Sequence, residues 1–233
     1  LLAFRDWRSD QRGVAVMALD GSGYARQSTF LEDAAPAWTA AGDILFFSRR
    51  EVDRQPRIYR VALHSSGDAA LERDRQPVFG VMPAGLPDGR ILYFATHPET
   101  GLAIMNGDGG GYQLLLPDEE IGAIAPAPDG RSAAFMSRRQ GNWEIYRINI
   151  DGSGLQRLTN HAGHDGLPAW SPDGRSIAFL SDRSGQWGLW AMNADGRSPR
   201  QLFPLPGSLG PPPAGEPEFV WRGWWEEHLV WLP

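Results

Sequence analysis

Turn-forming sites recur along the chain at an almost constant interval, and that interval constrains the fold more than any other feature. Asp20-Gly21, His64-Ser65, Asp108-Gly109, Asp151-Gly152 and Asp195-Gly196 are spaced by 44, 44, 43 and 44 residues. A second turn family keeps the same period: Pro87-Asp88-Gly89, Pro128-Asp129-Gly130 and Pro172-Asp173-Gly174, with a degenerate copy at Ala41-Gly42-Asp43. A fixed internal period of this length means that one supersecondary unit is repeated and that neighbouring copies bury each other's faces.

The segments between the turns have strand character. Ile177–Ser181 aligns with Ala133–Ser137, Ile91–Thr96 and Ile44–Ser48. A further column holds Tyr59, Tyr146 and Trp190, followed two residues on by Val61, Ile148 and Met192. Short runs rich in β-branched and aromatic residues, bounded by Gly, Asp and Pro, read as half-buried strands. An Asp-Gly pair between two such runs predicts a two-residue hairpin with both central residues at positive φ. About four short antiparallel strands per period make the blade of a β-propeller. The expected fold is therefore all-β, a propeller of four-stranded antiparallel blades, with about five blades or a truncated six-bladed ring.

The blade boundaries fall at 29–73, 74–116, 117–159 and 160–203, within one propeller domain spanning 1–233. Residues 1–28 supply the last three strands of a blade, starting at Leu2-Ala3-Phe4. Residues 217–233 supply the first two, around Phe219–Trp221 and Leu229–Trp231. The Pro/Gly-rich stretch 204–216 lengthens the connection before them. In one closure the strand at Phe219–Trp221 joins the three N-terminal strands, which leaves Leu229–Trp231 without a matching vacancy. The opening LLAFRDW has neither a basic n-region nor a long apolar segment, and the chain starts at Leu1, as a fragment or processed domain would.

Composition narrows the function classes. With no cysteine there is no disulfide framework, thiolate zinc site or thiol chemistry. The formal net charge is -6 and all 22 basic residues are arginine, without a basic run, which argues against a phosphate-tracking nucleic-acid binder. No apolar stretch approaches the roughly 20 residues of a membrane span. The 28 glycines and 19 prolines are what two tight turns per blade require.

The copy at 160–203, NHAGHDGLPAWSPDGRSIAFLSDRSGQWGLWAMNADGRSPRQLF, closely resembles the TolB-type propeller repeat, as does PAPDGRSAAF with NWEIYRINIDGSGLQRLT at 117–159. Copies 29–73 and 74–116 match more loosely. The resemblance implies a binding platform at a bacterial cell envelope, as in periplasmic TolB. The same repeat also builds the propellers of prolyl-oligopeptidase-like serine peptidases and the outer regions of receptor kinases. A protein-binding, periplasmic or otherwise extracytoplasmic scaffold is the first expectation. The substrate-gating domain of such a peptidase, or a receptor-kinase sensor, is the alternative.

No string satisfies the Gly-x-Ser-x-Gly nucleophile elbow, and Asp20–Gly23 and Asp151–Gly154 occupy the turn column. There is no phosphate loop or dinucleotide fingerprint. The chain by itself is expected to be no enzyme, to hold no cofactor or metal, and to take a protein partner. Nucleic acid, membrane insertion and a small-molecule ligand are not expected. His161, His164 and Asp165 form a cluster that is metal-like in composition, but it lies in a connection between blades, where hydrogen bonding across the connection is the simpler role. An acidic metal-ligand ring for channel chemistry finds no acid in the columns Ala35–Trp38 and Leu167–Trp170.

Asp88, Gly89, Asp129, Gly130, Asp173 and Gly174 are structural turn residues of the repeat. Asp182-Arg183, with counterparts at Arg138-Arg139, Arg49-Arg50 and Trp7-Arg8, is expected to order the turn after the second strand, its Asp accepting backbone N–H groups there. Trp38 and Trp170 share the first-strand column and should pack blade against blade. Trp143 and Trp187 share the position before the third strand. The candidate partner-binding residues are Arg49, Arg50 and Arg54 in an expanded loop, and Trp224 and Trp225 in a tryptophan-dense end that also holds Trp221 and Trp231.

Overall fold

The computed structural model describes all residues except 7, 9–11, 64, 66, 74, 207–228 and 230–233. Every regular element among the described residues is a β-strand. The chain divides into two compact units, Leu1–Pro117 and Asp118–Pro233.

The first unit opens with a three-stranded antiparallel sheet of β1 (Leu2–Asp6), β2 (Gly13–Met17) and β3 (Ala25–Arg26). A four-stranded sheet follows: β4 (Ala34–Trp38), β5 (Ile44–Ser48), β6 (Arg57–Val61) and β7 (Asp68–Ala70). A small hairpin of β8 (Glu72–Arg73) and β9 (Gln76–Pro77) precedes the next blade, β10 (Gly80–Gly85), β11 (Ile91–Ala95), β12 (Gly101–Met105) and β13 (Gln113–Pro117). The second unit holds two four-stranded blades. One is β14 (Ile121–Pro126), β15 (Ser132–Ser137), β16 (Glu144–Asn149) and β17 (Gln156–Arg157). The other is β18 (Asp165–Trp170), β19 (Ser176–Ser181), β20 (Gly188–Asn193) and β21 (Arg200–Pro204). Strands within each sheet follow chain order and pair antiparallel, so the fold is a β-propeller type with five blade sheets. The strands expected around Phe219–Trp221 and Leu229–Trp231 lie, apart from Leu229, outside the described residues.

Burial falls off at the last strand of each blade. β5 and β15 are buried at every residue, whereas every residue of β21 is exposed. A strand sandwiched on both faces must be apolar throughout, which is why Ile44–Phe47 reads as a continuous run. Neighbouring blades meet through such strands. Val14 and Val16 of β2 pack on Ile44, Phe46, Tyr59 and Val61. In the second unit Ala134 and Ile145 pack on Trp170, Ile177, Phe179 and Met192. Each large side chain so placed removes apolar area worth about 1.5–3 kcal/mol from water.

The turns differ from expectation. Only the glycine of each Asp-Gly pair has positive φ: 89° at Gly89, 66° at Gly130 and 69° at Gly174, with no aspartate among the positive-φ residues. Gly174 N–H bonds to the Ser171 carbonyl at 2.9 Å, and Gly89 N–H to that of Leu86 at 3.0 Å. These are type I turns followed by a left-handed glycine, not two-residue turns with both residues at positive φ. Pro87 and Pro172 preset φ near −65° at the first central position, but the same turn forms without proline at Asn106–Gly109 and Asn193–Gly196, so the left-handed glycine after the aspartate is the shared feature. The aspartate then accepts the N–H two residues on, as Asp173 Oδ1 does from Arg175 at 3.0 Å.

Each first strand carries a bulge at the same place. Ladder register shifts between Ala34 and Ala37, Val81 and Ala84, Gly122 and Ala125, and Gly166 and Ala169. A non-glycine residue sits at positive φ within every bulge: Ala35 (48°), Met82 (55°), Ala123 (44°) and Leu167 (50°). Three of the four precede proline, which lacks a ladder N–H and disfavours right-handed backbone before it. Ala123 precedes Ile124, so proline alone does not impose the conformation.

Candidate functional site

Just past the end of the second strand in three of the four-stranded blades, the repeat places an arginine (Arg50, Arg139, Arg183) above an aromatic ladder. Phe179 pairs with Trp190, Phe135 with Tyr146 and Phe46 with Tyr59 across adjacent strands, with ring centroids 6.5, 5.8 and 5.6 Å apart. Arg183 lies 5.2 Å from the Phe179 ring and 5.1 Å from Trp190, while Arg50 lies 3.8 Å from Tyr59. Guanidinium over aromatic faces is attractive and orients the planar fork.

That fork meets a buried carboxylate. Arg183 Nη2 donates to Asp165 Oδ2 at 2.5 Å, and Asp165 is fully buried at the start of its first strand. Burial pushes the Asp165 carboxyl up, opposed by Ser181 and Arg183. Arg50 grips Asp68 with both terminal nitrogens at 3.1 and 2.6 Å and stands 4.0 Å from the fully buried Asp33. Burial also pushes Asp33 up, opposed by Ser28, Ser48 and Arg50. Arg139 is 3.5 Å from Asp118, which accepts from Ser137 Oγ at 2.7 Å and from the Glu120 N–H at 3.1 Å. In the blade β10–β13 the pair is absent. Gly80 stands in the aspartate column and His97 in the arginine column, packed edge-on against Phe79 at 5.6 Å.

The His161–Asp165 connection is held by main-chain bonds. Asp182 Oδ1 accepts the His164 N–H at 2.6 Å, so it braces the preceding connection, while the turn N–H of Gly185 goes to the Asp182 carbonyl. Asn142 Nδ2 donates to the carbonyls of His161 and Gly163 at 2.8 and 2.7 Å. Glu144, fully buried, accepts from Arg157 at 2.8 Å, Thr159 at 2.6 Å and His161 N–H at 2.8 Å. Glu144 has no counterpart in the repeat columns; its one signal is a charge directly before the apolar pair Ile145 and Tyr146.

The candidate binding residues separate. Arg50 has a side chain 6% exposed and belongs to the carboxylate bracket. Arg54 pairs with Glu32 at 2.9 Å and is 59% exposed, and Arg49 lies 5.2 Å from the Phe47 ring. Trp7, His64, Trp221, Trp224, Trp225 and Trp231 lie outside the described residues. Trp170 is buried and its Nε1 donates to the Ala125 carbonyl of the neighbouring blade at 3.0 Å; Trp38 is half-buried.

The turn residues frame a cleft. Pro128 and Asp129 on one side, and Pro172, Asp173 and Gly174 on the other, border an open cavity of about 410 Å³ between the two blades of the second unit. Arg147 and Ser132 line it, with Trp170, Ala127 and Ala194 as apolar wall. Asp129, Gly130, Asp173 and Gly174 thus belong to turns beside an open polar surface, whereas Asp88 and Gly89 belong to the corresponding turn of the first unit.

Residues 118–204 match the family model of the TolB beta propeller domain. Among curated proteins no sequence matches. Of solved structures, TolB from Acinetobacter baumannii is similar with a TM-score of 0.72 at 21% identity, over 87% of this chain and 52% of that one. The putative TolB from Agrobacterium tumefaciens gives 0.62 at 26% identity, over 77% of this chain and 65% of that one. A puromycin-hydrolyzing peptidase from Mycobacterium tuberculosis gives 0.60 at 17% identity, over 84% of this chain and 35% of that one. The chain thus spans about half to two thirds of the length of these TolB structures.

Proposed function

We propose, from a TolB-type repeat over residues 118–204, that the chain is a non-catalytic scaffold that binds a protein partner outside the cytoplasm. One observation carries this reading: the charges that the repeat gathers are engaged with one another. Arg183 closes on Asp165, Arg50 on Asp68, and Glu144 on Arg157, Thr159 and the His161 N–H. Such groups tie the strands of one blade to one another and, at the His161 N–H, to the connection that follows, and a reacting substrate would have to displace those bonds. The open polar surface lies instead at the turn cleft, a place for recognition.

The test is crosslinking of the tagged chain in an envelope extract of its source organism. A discrete partner, competed by untagged chain, is the expected result. Absence of any such partner, or turnover of prolyl-peptide and ester substrates by the purified chain, would overturn the scaffold. The fold likeness to the M. tuberculosis peptidase favours a second reading, the gating domain of a serine peptidase. A Gly-x-Ser-x-Gly domain in the same reading frame would decide for it. A membrane span with a kinase there would decide for a sensor.

A further inference from the structure

Arg60 and Arg147 occupy one column of the repeat, second from the end of the Tyr-bearing stretch in Arg57–Val61 and Glu144–Ile148. Their surroundings differ. Arg60 Nη1 donates to the Gly107 carbonyl of the next blade at 3.0 Å, with Asp43 at 3.9 Å. Arg147 makes a single side-chain bond, Nε to Ser132 Oγ at 3.3 Å, and no carboxylate among the described residues lies within 4.0 Å of it. Among the described residues its two terminal nitrogens have no acceptor, and it lines the 410 Å³ cleft.

One residue differs on the facing blade. Gly107 corresponds to Ala194, each following the Asn that ends the Met-Asn pair. At Gly107 a Cβ would stand 2.8 Å from the Gly89 carbonyl oxygen, so that turn closes down only because it has none. Ala194 carries the Cβ and lines the open cleft facing Gly174, the counterpart of Gly89. The acceptor that the first unit supplies from its own backbone is missing from the second.

We propose that this cleft binds an extended segment of a partner polypeptide, a main-chain carbonyl of which takes the place on Arg147 that Gly107 takes on Arg60. The rim selects the side chains. Asp129 and Asp173 border the cleft, and bonds from Ser171 and the Arg175 N–H hold the Asp173 carboxyl below its ordinary range, so it is anionic. Among the lining residues two carboxylates stand against one guanidinium, with Arg175 acting on Asp173 from outside the lining, and this wall complements a lysine or arginine on the segment better than an acidic side chain. Pro128, Pro172 and Trp170 offer apolar wall to the stem of such a side chain. The occupant is therefore a basic, extended peptide, and the proposal rests on the scaffold reading above.

The test titrates the full chain with fluorescein-labelled Gly-Ser-Arg-Gly-Ser amide, read by anisotropy, beside the same peptide with glutamate for arginine. The arginine peptide should bind, and Arg147→Gln should weaken it about tenfold, the worth of one hydrogen bond to a charged group. Asp129→Asn with Asp173→Asn should abolish the preference for arginine over glutamate, while Arg60→Gln leaves binding unchanged. Should Arg147→Gln fail to fold, Ala194→Gln gives the same loss by offering the guanidinium an amide oxygen from within the chain. Tighter binding of the glutamate peptide, or binding indifferent to both cleft variants, overturns the proposal. An envelope partner captured equally by wild type and cleft variants also overturns it and leaves the scaffold reading standing.

Discussion

Trp170 acts twice, filling the space between β14–β17 and β18–β21 and bonding through Nε1 to the Ala125 carbonyl. Truncation leaves a cavity and deprives a partly buried carbonyl of its donor. Trp170→Ala should cost on the order of 3–5 kcal/mol in denaturant melts, and a loss below about 1 kcal/mol would contradict this placement. Gly196 is constrained as tightly, with φ at 85° and the Leu158 carbonyl oxygen 2.6 Å from where a Cβ would sit. Gly196→Ala should destabilise by about 2 kcal/mol, measured the same way. The period marked both positions in the sequence. The arginine brackets were half visible: Arg183 and Arg50 stood in a column, but their partners Asp165 and Asp68 sit 18 residues away, one upstream and one downstream. Asp33 and Asp165 share a column, but the carboxylate that Arg50 grips is Asp68 of β7, which no column marks.

At the scale of the element, the first strands store backbone strain at Ala35, Met82, Ala123 and Leu167. A non-glycine residue in left-handed backbone costs roughly 1–2 kcal/mol, and removing its Cβ relieves that cost. Ala35→Gly should therefore leave stability within about 0.5 kcal/mol of the parent, lost packing and relieved strain offsetting each other. Ala133→Gly, in the regular ladder of β15, should lose about 1 kcal/mol or more. Equal losses at the two sites, by chemical denaturation, would exclude strain at Ala35. Strand positions were legible from short apolar runs between Asp-Gly turns, and so were the two hairpins of each blade. The bulges were not, because Pro36, Pro83 and Pro168 show where ladder pairing weakens and not which neighbour absorbs the distortion.

For the whole molecule, acid is the informative variable. Asp88 and Asp173 have lowered carboxyls, Asp88 chiefly through Arg90 and Asp173 chiefly through Ser171. A lowered folded pKa gives stability that is complete above the unfolded value near pH 4 and is lost as pH falls below it. Asp33 and Asp165, raised by burial, act in the opposite sense: their ionisation weighs against folding as pH rises above that value. Asp88→Asn with Asp173→Asn keeps a turn acceptor that does not titrate. The double variant should lose stability less steeply than the parent between pH 4 and 2, followed by circular dichroism. A parallel decline would place the acid sensitivity elsewhere.

The 44-residue period, the strand and turn positions and the all-β propeller class were determined by the sequence alone, since each follows from chemistry within a few residues of chain. Only the tertiary structure decided that Arg50 is buried, that the same arginine column is closed at Arg60 and open at Arg147, and that a cleft lies between two turns. Those outcomes depend on contacts between segments far apart in sequence, such as Arg50 with Asp68, Arg60 with the Gly107 carbonyl, and the turns at Pro128 and Pro172 across the cleft.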